Sequence, residues 1–175
     1  LGNLVTHLAA PSGRTLGEAL PNRDFFLTMA ELDNLMQRAE ALCQQRGARL
    51  TPQRRKVLEL ICASKRPLGA YEILDGMRSV LPNPAPPTVY RALDFLLNQG
   101  LVHKVESLHA YVGCNHPEHP HSAQFLICER CGVVKHVEDD RLEQDLSNAA
   151  AAAGFQTERR VVELLGTCAQ CRGGL

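Results

Sequence analysis

Apolar residues recur at helical spacing from Ala30 onward, with Leu32, Leu35, Met36, Ala39, Leu42 and Cys43 on one face and Gly47 placed to end the helix. Thr28 and Glu31 have the spacing of a capping box at its start. Thr51 as N-cap and Pro52 at the first position announce a second helix, with Val57, Leu58 and Ile61 inward. A third is expected over 68–81, burying Ile73, Leu74 and Met77. A fourth opens at Pro86-Pro87, buries Val89, Ala92, Leu93, Leu96 and Leu97, and stops at Gly100. Two β-type runs follow, 101–105 and 110–114, separated by a turn over 106–109. Helices closed by a hairpin assemble naturally as a winged helix-turn-helix.

The pattern then changes. Residues 125–127 and 133–137 have the look of short strands flanking a Cys-x-x-Cys turn. Leu142, Leu146, Ala149, Ala150 and Ala153 form a helical face ending at Gly154, and 160–165 is a β-branched apolar run leading to a second Cys-x-x-Cys. This predicts an α+β chain: a winged helix-turn-helix domain, then a small α/β unit whose sheet edges a twofold partner could cover. Residues 1–28 hold no sustained period and carry Pro11, Gly13, Gly17 and Pro21. The expected division is a poorly ordered tail over 1–28, a DNA-binding domain over 29–110, a hinge and metal-ligand loop over 111–124, and a dimerisation domain over 125–175.

Charge sharpens this division. Residues 30–105 carry eleven Lys/Arg against seven Asp/Glu, and 106–175 carry six against ten, a balance of +4 followed by −4. A basic half suits a nucleic-acid face, although a few unpaired charges alone describe any solvated surface. The seven cysteines come without a signal-peptide pattern or an apolar run of membrane-spanning length, so the cytoplasm is the expected compartment. There, paired cysteines hold metal more often than each other. Cys43 and Cys62 sit on apolar helical faces and read as core thiols.

Cys128-x-x-Cys131-Gly132 and Cys168-x-x-Cys171 are matching knuckles, and four thiolates suit a closed tetrahedral structural Zn²⁺ with no open position for a hydrolytic water. A redox pair would need a strand-to-helix setting, whereas both knuckles are expected at strand ends. Six of the seven histidines lie in the 34 residues from His103 to His136, with Cys114 among them. His116 and His119 read as a His-rich surface loop; His103, within the strand-like run after the fourth helix, and Cys114, ending the next run, are better ligand candidates. A thiolate with imidazoles suits Zn²⁺, and such ligands would straddle the basic and acidic halves. On the fourth helix Thr88, Tyr90, Arg91 and Asp94 lie opposite the buried stripe near the N-terminus, where recognition helices meet base edges, and Arg is the commonest reader of guanine.

The run Pro86-Pro87-Thr88-Val89-Tyr90-Arg91-Ala92-Leu93-Asp94-Phe95-Leu96 with Gly100-Leu101-Val102-His103-Lys104-Val105-Glu106-Ser107, and Arg49-Leu50-Thr51-Pro52-Gln53-Arg54, resembles the ferric uptake regulator family. With Tyr111-Val112-Gly113-Cys114, Ile127-Cys128 and both knuckles, the resemblance spans about 31–172 and is greatest to the zinc uptake regulator branch. It implies a zinc-responsive transcriptional repressor, not an enzyme, whose zinc-loaded homodimer binds AT-rich inverted-repeat operators of zinc uptake and homeostasis genes. Two zinc ions per monomer are implied: a structural one at Cys128, Cys131, Cys168 and Cys171, and a regulatory one at His103, Cys114 and His121. The fourth regulatory ligand in the family is a glutamate where this chain has His136, which leaves His136 or Glu138 for that role. Tyr71, Thr88, Tyr90 and Arg91 are then DNA-facing, and Asp75 with Arg78 matches a pair joining neighbouring dimers on one operator. A sensor of iron, manganese or peroxide in the same family would favour His and carboxylate ligands over Cys114. A zinc hydrolase lacks its signature here, and a zinc-stapled interaction module leaves the recognition-helix pattern unexplained.

Overall fold

The computed structural model describes residues 28–119 and 122–173. The expected tail, 1–28, therefore lies outside the described residues except for Thr28. That residue does cap the first helix, α1 (Met29–Gln45): its hydroxyl accepts from the Glu31 N–H while Glu31 accepts from the Thr28 N–H. Helix α2 (Pro52–Ala63) starts behind Thr51 as its N-cap. Helix α4 (Pro86–Asn98) ends where Gly100, at φ +64°, donates to Leu97 and Leu101 donates to Leu96, a Schellman closure that only glycine adopts cheaply.

The third helix is shorter than expected over 68–81. Leu68–Gly69 forms a two-residue strand, β1, and α3 occupies Ala70–Met77. Beyond it, Arg78, Ser79 and Val80 each donate three residues back, so the backbone tightens into successive turns up to Leu81. Strands β2 (Val102–Val105) and β3 (Ala110–Gly113) complete an antiparallel sheet in the order β1-β3-β2. The β2–β3 turn contains His109 at φ +48°. Met36, Val57, Leu58, Ile73, Met77, Val89, Leu93 and Leu96 are buried together beneath this sheet with Cys43 and Cys62, so both thiols are core residues as expected.

In the second half, β4 (Gln124–Cys128) pairs antiparallel with β5 (Val134–Val137) and parallel with β6 (Val162–Gly166), giving the order β5-β4-β6. Helix α5 (Asp140–Ala152) provides the crossover and α6 (Ala169–Gly173) follows β6. The expected 111–124 connection thus includes the last three residues of β3 and the first of β4, with 114–123 between the sheets. Val105 of the wing strand β2 packs on Phe125, Ile127 and Val134, so a small apolar cluster joins wing and second sheet.

Candidate metal centre and nucleic-acid interface

The β4–β5 turn carries Cys128 and Cys131. Gly132, at φ +73°, closes it by donating to the Cys128 carbonyl at 2.8 Å, and Cys128 donates to Val133 at 2.9 Å. Parallel pairing of β4 with β6 brings the second knuckle alongside, fixed by the Glu129 N–H donating to Gly166 at 2.9 Å. All four sulfurs then lie within 4.8 Å of one another. Bonds of about 2.3 Å put the sulfurs of a tetrahedral zinc site about 3.8 Å apart, and Cys131 Sγ lies 3.8 Å from Cys168 Sγ. The set fits zinc by geometry and by donor chemistry. The Cys168 N–H, 3.3 Å away, and the Cys131 N–H pull the Cys128 thiol down to about 6, while Cys171 hydrogen-bonds to Cys168 and Cys131 and is pushed up to about 12. One correction concerns the setting: the second knuckle bridges a strand and a helix, β6 and α6, rather than merely ending a strand. The convergence of all four sulfurs, more than strand-end placement, is what favours metal over a redox pair.

His103 on β2 and His136 on β5 come from different sheets, and their ring centroids are 5.2 Å apart. Phe125 lies against both, at 6.1 and 5.5 Å. Cys114 is buried just past β3, its N–H held by Leu101 at 3.0 Å. Burial pushes its thiol up to about 11; the His116 N–H opposes this and Glu138 adds to it. Glu138 also approaches His136 Nδ1 at 3.8 Å. The structure thus gathers His103 and His136 at one seam, with Glu138 near His136 and Cys114. Among the described residues only the four cysteines form a converged donor set, and His121 lies outside the described residues. Cys62, pushed up to about 12 by burial and the nearby Cys114, stays a thiol in the core.

The face around α4 is open. Tyr90 and Arg91 are exposed, Thr88 is half-buried, and Tyr71 on α3 is 71% exposed. Thr88, Arg91 and Ala92 share a polar groove with Thr51, Gln53 and Arg54 at the start of α2. Arg54 is fixed there with its guanidinium 3.6 Å above the Phe95 ring while donating to the Arg49 carbonyl at 2.7 Å. Periodicity alone did not single out Gln53 and Arg54; the signal was their place in the first turn of a Thr-Pro-capped helix. Asp75 and Arg78 pair with each other at 3.4 Å on one turn, both 68% exposed. No described helix is long and apolar enough to cross a membrane.

Residues 45–165 match the ferric uptake regulator family. The zinc uptake regulation protein of Escherichia coli (strain K12) is 46% identical over 138 residues, covering 78% of this chain and 81% of that protein. That of Mycobacterium tuberculosis (strain ATCC 25618 / H37Rv) is 31% identical over 132 residues, covering 72% and 96%. A solved zinc uptake regulator complexed with zinc and DNA superimposes with a TM-score of 0.78 at 44% identity, over 83% of this chain and 97% of that one. This chain is a member of the ferric uptake regulator family.

Proposed function

We propose that this protein is a zinc-responsive transcriptional repressor, a DNA-binding regulator and not an enzyme, in which metal fixes the angle between a reading domain and a second domain. The observation that carries the metal response is the meeting of His103, on the wing of the DNA-reading half, with His136, on the second sheet, at 5.2 Å. A metal bound there has ligands on both halves, so it favours the one arrangement in which they meet.

Two zinc ions per monomer follow from this reading. The first is structural, held by Cys128, Cys131, Cys168 and Cys171. The second is regulatory, held by His103, Cys114, His121 and either His136 or Glu138. Imidazoles with a thiolate suit zinc better than the His and carboxylate sets of an iron, manganese or peroxide sensor. Tyr71, Thr88, Tyr90 and Arg91 face an AT-rich inverted repeat, with Arg91 placed to read a guanine edge; the operators are those of zinc uptake and homeostasis genes. Asp75 and Arg78 are the contacts through which two dimers stand side by side on one operator.

A twofold partner is supported by the second domain. No residue of α5 is buried, and Leu142, Leu146, Phe155, Val161, Leu164 and Leu165 are all exposed. An apolar helix face beside an edge strand is what a second copy covers. The reading places the protein in the cytoplasm with its operator.

The test is a gel shift on an AT-rich inverted-repeat duplex with added zinc, with a chelator, and with iron or manganese. Zinc alone is expected to give full retardation. Retardation that persists under chelation sinks the metal-response reading, and preference for iron or manganese reassigns the metal.

A further inference from the structure

The β2–β3 turn, the wing tip, is attached to the second domain by a side chain that no metal site uses. Glu163 on β6 accepts two consecutive backbone N–H groups, from Glu106 at Oε1 (2.6 Å) and from Ser107 at Oε2 (3.0 Å). Arg159, just before β6, pairs with the Glu106 carboxylate, and Lys104 meets that carboxylate at 2.5 Å from the other side. Two positive and two negative side chains from both halves therefore close over four residues of turn.

We propose that Glu163 is a positioning residue for operator binding, a carboxylate latch that holds the wing tip on the second domain and so sets the angle at which α4 is presented. The inference rests on the DNA-binding reading above and adds a second, metal-independent attachment to the one through zinc.

Three observations carry it. The first is stereochemical: two successive N–H donors converge on one carboxylate only when the turn and β6 lie at one fixed orientation, because both oxygens are used at once. The second is the rigidity of the turn, which comes from the Glu106 carbonyl accepting from the His109 N–H at 3.1 Å and from His109 at positive φ; a rigid tip passes a constraint on to the strands behind it. Those strands adjoin α4, whose last turn runs through Gly100 directly into β2. The third is that the arrangement in which the latch is closed is the one that superimposes on the regulator complexed with zinc and DNA, over both halves of the chain. Burial disfavours a charge on Glu163, yet the Ser107 hydroxyl and the two N–H groups hold its carboxyl below its usual value.

The latch also assigns a role to the wing. With the Glu106 and Ser107 N–H groups held by Glu163 of β6, and the tip so turned onto the second domain, the wing serves as a lever on α4.

Glu163→Gln keeps the size of the side chain and removes one acceptor and the charge. In the full-length zinc-loaded protein it is expected to weaken operator binding about tenfold, as loss of one charge-assisted hydrogen bond implies. Zinc content should stay unchanged, melting temperature should fall by no more than about 2–4 °C, and nitroxide labels on α4 and β6 should show a broadened distance distribution. Glu163→Asp, which keeps the charge but shortens the reach, should fall between. Should the variants lose zinc or unfold, amide exchange in the unaltered protein still decides: the Glu106 and Ser107 N–H groups should exchange at least tenfold more slowly than in the isolated turn peptide. Full operator affinity in a folded Glu163→Gln, or unprotected amides in the unaltered protein, overturns the latch. Failure of the unaltered protein to bind the operator with zinc would instead overturn the DNA-binding reading itself.

Discussion

Replacing Gly113 with alanine tests how the strand that delivers Cys114 is packed. Gly113 ends β3 opposite Val102, and a methyl group on it would lie 2.8 Å from Cys62 Sγ and 3.9 Å from Cys62 Cα and Cβ. Its φ is not positive, so the backbone tolerates alanine and the cost comes from the sulfur contact alone. Atoms of this size prefer separations of about 3.5–4.0 Å, so the sulfur or the strand must move by most of an ångström. Cys62 is buried, with 8% of its surface exposed, so its sulfur has little room to turn aside. Overpacking of this kind costs about 1–3 kcal/mol. For a chain of this size that is a fall in Tm of about 2–4 °C per kcal/mol.

Cys62→Ala removes the obstructing sulfur at a cost of about 1 kcal/mol. The double variant should therefore be more stable than the sum of the two singles by about 1–2 kcal/mol. Calorimetric melting of the four proteins, at one protein and one zinc concentration, gives the cycle. An alanine at 113 that is harmless in the parent, or equally harmful with and without Cys62, would show that the Cys62 sulfur is not the obstacle. Unchanged zinc content in Cys62→Ala checks separately that Cys62 is a core thiol and not a ligand.

Arg91→Ala should weaken specific operator binding by about 1–3 kcal/mol and leave random DNA less affected, measured by fluorescence anisotropy on both duplexes; an equal loss on both makes it a phosphate contact. Cys128→Ser should release the tightly held zinc and unfold or dissociate the second domain, read by elemental analysis and sedimentation, because structural zinc binding is part of the folding free energy. A folded dimer with unchanged Tm would remove the structural assignment. His136→Ala should abolish the gain in operator affinity on adding zinc while Glu138→Ala leaves it nearly intact, if His136 is the fourth ligand; the reverse pattern assigns Glu138, which lies 3.8 Å from it.

Where the chain carries local chemistry, its sequence was sufficient to place the elements and to pick out the four cysteines that converge. Thr51-Pro52 and Pro86-Pro87 mark two helix starts to the residue, and Thr28 with Glu31 marks a third. The four knuckle cysteines were legible because a two-residue spacer lets one turn present both sulfurs to the same ion, and the chain carries that spacer twice. What escaped depends on distant partners. Leu68–Gly69 is a strand only because β3 lies beside it, and two residues have no period to read. Glu163 is one acidic residue in an apolar run, and nothing before it in the chain announces the turn it holds 56 residues away. Leu142 and Leu146 lie on the helical face that the periodicity marks out, and both are exposed in the folded chain, because a period fixes which residues share a face and not what that face meets. His103 and His136 could be chosen as ligands from their type, but only the packing of Val105 on Phe125 brings their sheets together.

The central claim is that zinc and operator DNA bind one arrangement of the two halves, and linkage makes that claim reciprocal. If zinc raises operator affinity by about 100-fold per site, roughly 2.7 kcal/mol, then operator must raise zinc affinity at that site by the same factor. The deciding measurement is the zinc affinity of the more weakly held metal, by competition with a chelating dye, with the operator duplex present and absent. A tightening of about 100-fold is expected, and it should disappear in His103→Ala and Cys114→Ser while both stay folded and dimeric. Equal zinc affinities with and without operator, in a protein that binds both, would contradict it.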